Sequence, residues 1–297
     1  MNAIIAVFKR ELKSYFISPI AYVFMILFTW ATMYIFFFIN QFFFVREVSM
    51  RGYFHLMPWY FFIFIPAISM RIWSEERKLK TMEILLTLPI KDWEAVIGKF
   101  LASYAFLIFT ILLSFFLPVS LAYLGDPDGG AILANYIGAI LMGGAYLAIG
   151  LFFSAITEEQ INAFIVTVVT TFLLVLIGWQ IDTIQQMITP ILFVLALICA
   201  LVFLFIGLFI SGEKEDRLMA AIVGIFCVSL FGGFGIITIV KPGTMIYAVQ
   251  AIQYISLSYH FQNIERGVVD LKDLVYYMVI MGSFLYLNIK ALKISEI

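Results

Sequence analysis

The sequence predicts an all-α protein, a polytopic membrane helical bundle. Of its 297 residues, 64% are hydrophobic and only 12% are charged, whereas an average soluble domain is about 25% charged. A soluble core could not cover so much apolar surface, so lipid has to cover the remainder. The charged residues are also clustered, with long charge-free stretches between the clusters. We therefore predict a single transmembrane domain over residues 1–297.

Eight charge-free stretches are close to or longer than the roughly 20 residues that a membrane-spanning helix needs. They are residues 14–45, 52–70, 100–125, 129–157, 160–181, 183–212, 218–240 and 274–289. Residues 242–264 are a ninth candidate, but several polar side chains make this stretch costly as a lipid-facing helix. We expect residues 241–272 to be an extracytoplasmic re-entrant or interfacial segment.

The basic residues predict the orientation, because cytoplasmic loops carry an excess of Lys and Arg. On the side of the two termini of an eight-span topology lie Lys9, Arg10, Lys13, Arg71, Arg77, Lys78, Lys80, Lys91, Lys99, Lys214, Arg217, Lys290 and Lys293. On the other side lie Arg46, Arg51, Lys241, Arg266 and Lys272. This asymmetry predicts a multi-pass protein of the cell inner membrane with both termini cytoplasmic.

Residues 1–18 predict an amphipathic helix at the inner membrane surface, in contact with lipid. Its apolar arc contains Ile4, Ile5, Phe8, Leu12, Tyr15 and Phe16. The opposite arc is basic, with Lys9, Arg10 and Lys13. Alternatively, this stretch is only a positively charged flank that orients the first span. Pro19 marks the predicted bend into the bilayer.

The richest polar stretch, residues 73–99, joins the second and third spans on the cytoplasmic side. It predicts a short amphipathic helix over 81–87 that stops before Pro89, then a second helix capped by Asp92. The second helix continues as the third span, and residues 93–121 would measure about 43 Å against a hydrocarbon core of about 30 Å. We expect it to protrude into the cytosol. The short helix has the shape needed to dock in a groove on another protein, although a solvated loop is the alternative.

Three separated stretches carry a resemblance to a known family. They are Lys9-Arg-Glu-Leu-Lys-Ser-Tyr-Phe-Ile-Ser-Pro-Ile-Ala-Tyr22, Trp73-Ser-Glu-Glu-Arg77 with Thr81-Met-Glu-Ile-Leu-Leu-Thr-Leu-Pro-Ile90 and Gly98-Lys-Phe100, and Tyr259-His-Phe-Gln-Asn-Ile-Glu-Arg266 continuing to Tyr277. In this order they resemble ABC-2 type transporter permeases, particularly the gliding-motility and nitrous-oxide-reductase maturation branch.

The resemblance implies a six-span core that pairs with a second permease protomer. It also implies that residues 73–99, here called the coupling segment, dock on an ABC ATP-binding subunit. The residues it assigns to that contact are Glu75, Glu76, Arg77, Thr81, Glu83, Leu85, Leu86 and Pro89. Residues 187–240 depart from the family pattern, and we expect them to add a two-span hairpin. A peripheral hairpin and one that joins the transport path both remain open.

The resemblance therefore implies the permease subunit of an ABC transporter, and we expect an exporter rather than an enzyme. No Gly-x-x-x-x-Gly-Lys-Ser/Thr stretch occurs, so ATP and Mg²⁺ are expected in the partner ATPase, with no cofactor or metal in this chain. His55 and His260 have no partners at metal-ligand spacing, and we expect them to make interfacial hydrogen bonds. Nucleic acid is not an expected partner.

Three other functions compete with this one. A membrane scaffold that transmits ATPase motion to an extracytoplasmic partner is the main alternative. An ion-coupled secondary transporter is disfavoured, because the predicted spans are almost free of ionisable residues. A membrane-embedded transferase is disfavoured, because it would need clustered His, Asp or Glu at one membrane face, and the sequence predicts no such cluster.

Overall fold

The computed structural model describes residues 2–40, 42–45, 49–79, 90–178 and 253–294. Within those residues every regular element is a helix. The chain divides into two compact units, Met1–Val175 with His260–Ile297, and Leu176–Tyr259. The contacts reported below lie within the first unit.

The chain begins with a surface helix and the first candidate span. Helix α1 covers Asn2–Ile17, and α2 covers Pro19–Tyr34 and continues into a π-helix at Ile35–Ile39. Pro19 is the first residue of α2, where the missing proline N–H costs no hydrogen bond. Ser18 has an extended backbone between the two helices, so the helix is interrupted at the predicted position. The bend into the bilayer stays a prediction. The four-residue α3, Phe42–Val45, follows.

The predicted second span, residues 52–70, is divided in the structure. Helix α4 covers Arg51–His55 and α5 covers Met57–Ser69. At 1.5 Å per residue α5 is about 20 Å long, shorter than the hydrocarbon core of about 30 Å. Neither helix therefore qualifies as a span by its own length. The five-residue α6, Ser74–Lys78, opens the coupling segment.

The third predicted span is a long helical stretch. Helix α7 covers Asp92–Leu112, a 3₁₀ turn covers Leu113–Phe115, and α8 covers Phe116–Ala122. Together they make a 31-residue candidate span, longer than the membrane core. The prediction that Asp92 caps this helix is wrong, because the extended N-cap is Lys91. The Lys91 N–H donates to the Glu94 carboxylate at 3.0 Å, so the glutamate three residues on satisfies the helix start.

The remaining described helices are α9 at Gly129–Ile156, α10 at Gln160–Gly178, α11 at Leu257–Glu265 and α12 at Leu271–Ile294. The described part of the chain holds five helices long and apolar enough to cross a membrane: Pro19–Ile39, Asp92–Ala122, Gly129–Ile156, Gln160–Gly178 and Leu271–Lys293. The chain is thus a multi-pass helical membrane protein. The predicted spans 183–212 and 218–240 and the hairpin 187–240 lie outside the described residues, so the number eight stays a prediction.

Helix α9 lies at the centre of the first unit. A Cβ atom on Gly143 would lie 2.8 Å from Leu107 of α7, and one on Gly144 would lie 2.7 Å from Met281 of α12. These glycines therefore allow α7 and α12 to approach the α9 backbone closely. Near the other end of α12, the Asn288 side-chain amide donates to the Leu151 carbonyl at 2.8 Å.

Candidate coupling site

Helix α6, at the start of the coupling segment, is bonded to the end of α9. The Ser154 hydroxyl accepts hydrogen bonds from the backbone N–H groups of Trp73 and Ser74, at 3.0 and 3.2 Å. It donates to the Met70 carbonyl at 3.1 Å. Ser154 thereby satisfies two N–H groups that a helix start leaves without an intrahelical partner. The position of α6 relative to α9 is fixed by these bonds.

Four charged residues, Arg10, Glu11, Glu76 and Lys99, form what we call the ion cluster. The Lys99 ammonium lies 3.2 Å from the Glu11 carboxylate and 3.0 Å from the Glu76 carboxylate. Arg10 contacts the Glu76 carboxylate at 2.8 Å and also pairs with Glu11. The cluster contains two carboxylates and two cations, so its formal charges balance. It joins α1, α6 and α7.

Burial makes these ion pairs unlike ordinary surface pairs. The Lys99 side chain is 1% exposed, whereas Glu76 and Glu11 are 17% and 19% exposed. Burial of Glu11 favours its neutral form, but the charges of Lys99 and Arg10 outweigh that effect and hold the pKa of its carboxyl below the usual value. Glu11 is therefore ionised at neutral pH. Removing one partner of such a pair would leave a charge buried without compensation.

The structure separates the predicted coupling residues. Glu75 pairs with Arg71 at 3.2 Å, and its side chain is 41% exposed. Glu76 points into the ion cluster, and Arg77 donates to the Ala155 carbonyl at 2.7 Å. The side chains of Glu76 and Arg77 therefore bind partners within this chain. Thr81, Glu83, Leu85, Leu86 and Pro89 lie outside the described residues.

Helix α1 packs closely along α7. A Cβ atom on Gly98 would lie 2.8 Å from the Val7 side chain and 3.1 Å from the Ile4 carbonyl oxygen. The Tyr15 ring stacks on Phe106 with centroids 4.9 Å apart. The side of α1 that faces α7 thus includes Val7 and Glu11, two residues that are absent from the predicted apolar arc.

A second group of charges lies at the opposite end of α9. The Glu265 carboxylate, 7% exposed, contacts Arg51 at 3.3 Å and the His55 Nδ1 at 3.0 Å. The Asn135 side-chain amide of α9 donates to the Glu265 carbonyl at 3.4 Å. The hydrogen bond to Glu265 raises the pKa of the His55 imidazole above its usual value. These contacts fix the end of α11 to α4 and α9.

The second histidine lies at the same end, between α11 and α12. His260 Nδ1 lies 2.6 Å from the Asp273 carboxylate, and Asn263 donates to the other carboxylate oxygen at 3.2 Å. The Tyr276 ring stacks on the imidazole at 3.8 Å. Both histidines therefore make hydrogen bonds within the chain, and their position at a membrane interface stays a prediction. In the part of the chain that the structure describes, no group of three metal-ligating side chains is assembled.

Comparison with known proteins finds one similarity. Residues 48–187 match the family model described as ABC-2 family transporter protein. This part of the chain is therefore similar to ABC-2 type transporters. The match includes the whole coupling segment, and no curated protein matches the chain. The family supports a membrane permease of an ABC transporter, a component for transport that is not itself catalytic. It implies an ATP-binding partner subunit and a dimeric arrangement in general.

Sequence reasoning missed the contribution of three residues to the site: Glu11, Lys99 and Ser154. In the sequence, Lys99 counts toward the cytoplasmic charge, ends residues 73–99 and belongs to the Gly98-Lys-Phe100 motif, but none of these assigns it a buried ion pair. Its partners Glu11 and Glu76 lie in separate elements, and one sequence gives no signal of such pairing. The glycine next to it, Gly98, was a usable sign, because a glycine within a helix often marks a close helix contact.

Proposed function

We propose that this chain is the membrane-spanning permease subunit of an ABC transporter, an exporter driven by a separate ATP-binding subunit. That subunit docks on residues 73–99. The observation that carries the proposal is the family match, which covers this segment completely. The attachment of α6 to α1, α7 and α9 supports it, since a force applied to the segment would reach three helices.

The mechanism follows from that attachment. ATP binding closes a dimer of the ATP-binding subunit and displaces the coupling segment. Helix α7 is continuous with this segment and runs the length of a span, so it carries the displacement through the membrane. A path then opens between two permease protomers. No charge on this chain takes part in ATP chemistry.

The end of α9 near Ser154 is proposed to face the cytoplasm. Arg10, Arg71, Arg77 and Lys99 gather there, whereas Arg51 lies at the opposite end. This distribution agrees with the excess of basic residues on the cytoplasmic side of membrane proteins. Helix α12 also ends near that end of α9, so both termini are proposed to be cytoplasmic.

Within the segment, Glu75 is the acidic residue we assign to the contact with the ATP-binding subunit. Its side chain is 41% exposed and pairs with its helix neighbour Arg71, and exposed pairs of this kind contribute about 0 to 1 kcal/mol. A partner arginine or lysine can replace that pair at little cost. Glu76 instead contributes through the ion cluster.

The test is photo-crosslinking in intact cells from two exposed positions. Leu79, at the end of α6, is 65% exposed, and Tyr123, after α8, is 89% exposed. A photoreactive residue at 79 should crosslink to a protein with a Gly-x-x-x-x-Gly-Lys-Ser/Thr loop, identified by mass spectrometry. The matched position 123 should not. Capture of such a protein from 123 and not from 79 would contradict the proposed docking site.

A further inference from the structure

We infer that Lys99 is a positioning residue that closes the coupling segment into a loop and carries its displacement into α7 and α1. This inference rests on the proposed function and assigns to one residue the transmission that the function requires. Lys99 was not among the residues that the family resemblance assigned to coupling.

The Lys99 ammonium has several partners inside the protein. It donates hydrogen bonds to the Glu11 carboxylate at 3.2 Å and to the Ile72 carbonyl at 3.0 Å, and it pairs with Glu76. The ammonium also lies over the Trp73 ring, 4.8 Å from its centroid, a favourable position for a cation. The buried charge is therefore compensated by groups of this chain.

These contacts connect the two ends of the coupling segment. Trp73 and Glu76 lie at its beginning, directly after Ile72, and Lys99 in α7 is its last residue. The two ends are therefore held together by a buried ion pair, a carbonyl hydrogen bond and a cation–π contact. A force on α6 would then move α7 as well, whereas unconnected ends would separate.

The ion cluster also extends this connection to the surface helix. Glu11 of α1 binds the same ammonium that Glu76 binds, and Arg10 contacts the Glu76 oxygen that Lys99 also contacts. Because α1 also packs on α7 at Gly98, the three elements have few independent ways to move. Lys99 belongs to α7 and contacts both α1 and α6.

Coupling through a contiguous network has to be shown by measurement rather than by proximity. The complex with the ATP-binding subunit is reconstituted in lipid nanodiscs, with Cys199 and Cys227 replaced by serine. An environment-sensitive fluorophore on Asp126→Cys, in the connection after α8, reports changes at the far end of α7. ATP should change its emission in the otherwise wild-type complex, and ADP should not.

Lys99→Met should lose this ATP-dependent signal, while the complex still assembles and its KM for ATP stays at the wild-type value. Lys99→Met with Glu76→Gln removes both charges of the pair and leaves Glu11 paired with Arg10, and it should lose the signal as well. Lys99→Arg, which keeps a cation, should retain it. Lys91→Met, an exposed lysine of the same segment, is the matched control and should behave as wild type.

The outcomes distinguish the inference from the proposed function. If the otherwise wild-type complex neither forms nor responds to ATP, the proposed function fails, and the role of Lys99 fails with it. If that complex responds and the doubly substituted, folded complex responds equally, only the role of Lys99 is overturned. A parallel loss of assembly and signal in the double variant would show a purely structural residue and would also overturn it.

Discussion

His55 and Glu265 form an ion pair at the end of α9 opposite the coupling segment. His55 is 51% exposed and Glu265 only 7%. The buried carboxylate keeps two cationic partners, Arg51 and His55, of which only the histidine titrates near neutral pH. The contact that fixes α11 to α4 therefore depends in part on pH.

At this residue scale we predict a pH-dependent contribution of His55 to stability. Its folded-state pKa is raised, so the stabilisation is fully present below the unfolded value of about 6.5 and is lost as pH rises through the folded pKa. The loss in melting temperature caused by His55→Gln should be largest at acidic pH and should disappear at alkaline pH. The effect should stay below about 1 kcal/mol, because His55 is half exposed.

Arg51→Gln is the control for this prediction, since arginine stays charged throughout the range. Its effect on the melting temperature should vary less between acidic and alkaline pH than that of His55→Gln, because Arg51 affects the titration only through the pKa of His55. A constant difference between wild type and His55→Gln across the same range would mean that the His55–Glu265 pair does not contribute.

Single residues differ in how well the sequence predicts their roles. Pro19 is a local signal for the start of α2. Asp128 also acts locally, since its carboxylate accepts from the Gly130 N–H at 2.9 Å and caps α9. The role of Glu76 is not local. Its neighbour Glu75 has the same side chain but is 41% exposed, against 17% for Glu76. Only the packing of α1 and α7 around α6 distinguishes the two residues.

At the scale of elements, the contact between α1 and α7 depends on the absence of a side chain at Gly98. An added methyl group would meet the Val7 side chain at 2.8 Å and a backbone oxygen at 3.1 Å, and the backbone cannot rotate away. We predict that Gly98→Ala separates the two helices and lowers stability by about 1–3 kcal/mol, the usual effect of overpacking. Thermal unfolding in nanodiscs measures it.

Gly282 provides a matched substitution in another candidate span. A Cβ atom there would meet nothing within 4 Å, so Gly282→Ala should be neutral or slightly stabilising, because alanine favours helix more than glycine does. Equal melting temperatures for the two variants would show that α1 does not depend on close approach to α7.

Element boundaries were predicted where composition alone decides them. Charge-free length gave α9, because residues 129–157 and the helix Gly129–Ile156 nearly coincide. The stretch Asp92–Ala122 carries Asp92, Glu94 and Lys99, so its start had to come from the capping pattern instead. Residues 52–70 are also charge-free, yet they form α4 and α5. The interruption is at Leu56, directly before Met57 and Pro58 at the start of α5, and charge-free length does not register such a break.

At the scale of the whole molecule, the two charge clusters at opposite ends of α9 predict which side of the membrane each end of α9 faces. A cysteine at Lys293, near the end of α12, should be protected from a membrane-impermeant thiol reagent in intact cells. A cysteine at Asp126, in the connection before α9, should be labelled. Both should react after the membrane is permeabilised. Labelling of position 293 from outside would show that the carboxyl end faces away from the cytoplasm, which would contradict the proposed topology.

The central claim is that this chain transmits the work of an ATPase without being one. The most direct measurement is ATP hydrolysis by the purified chain in nanodiscs, alone and with the ATP-binding subunit identified by crosslinking from position 79. We predict no hydrolysis above the empty-nanodisc background for the chain alone, and hydrolysis in the complex that responds to substitutions in the coupling segment. Robust hydrolysis by the isolated chain that persists through further purification would contradict the account.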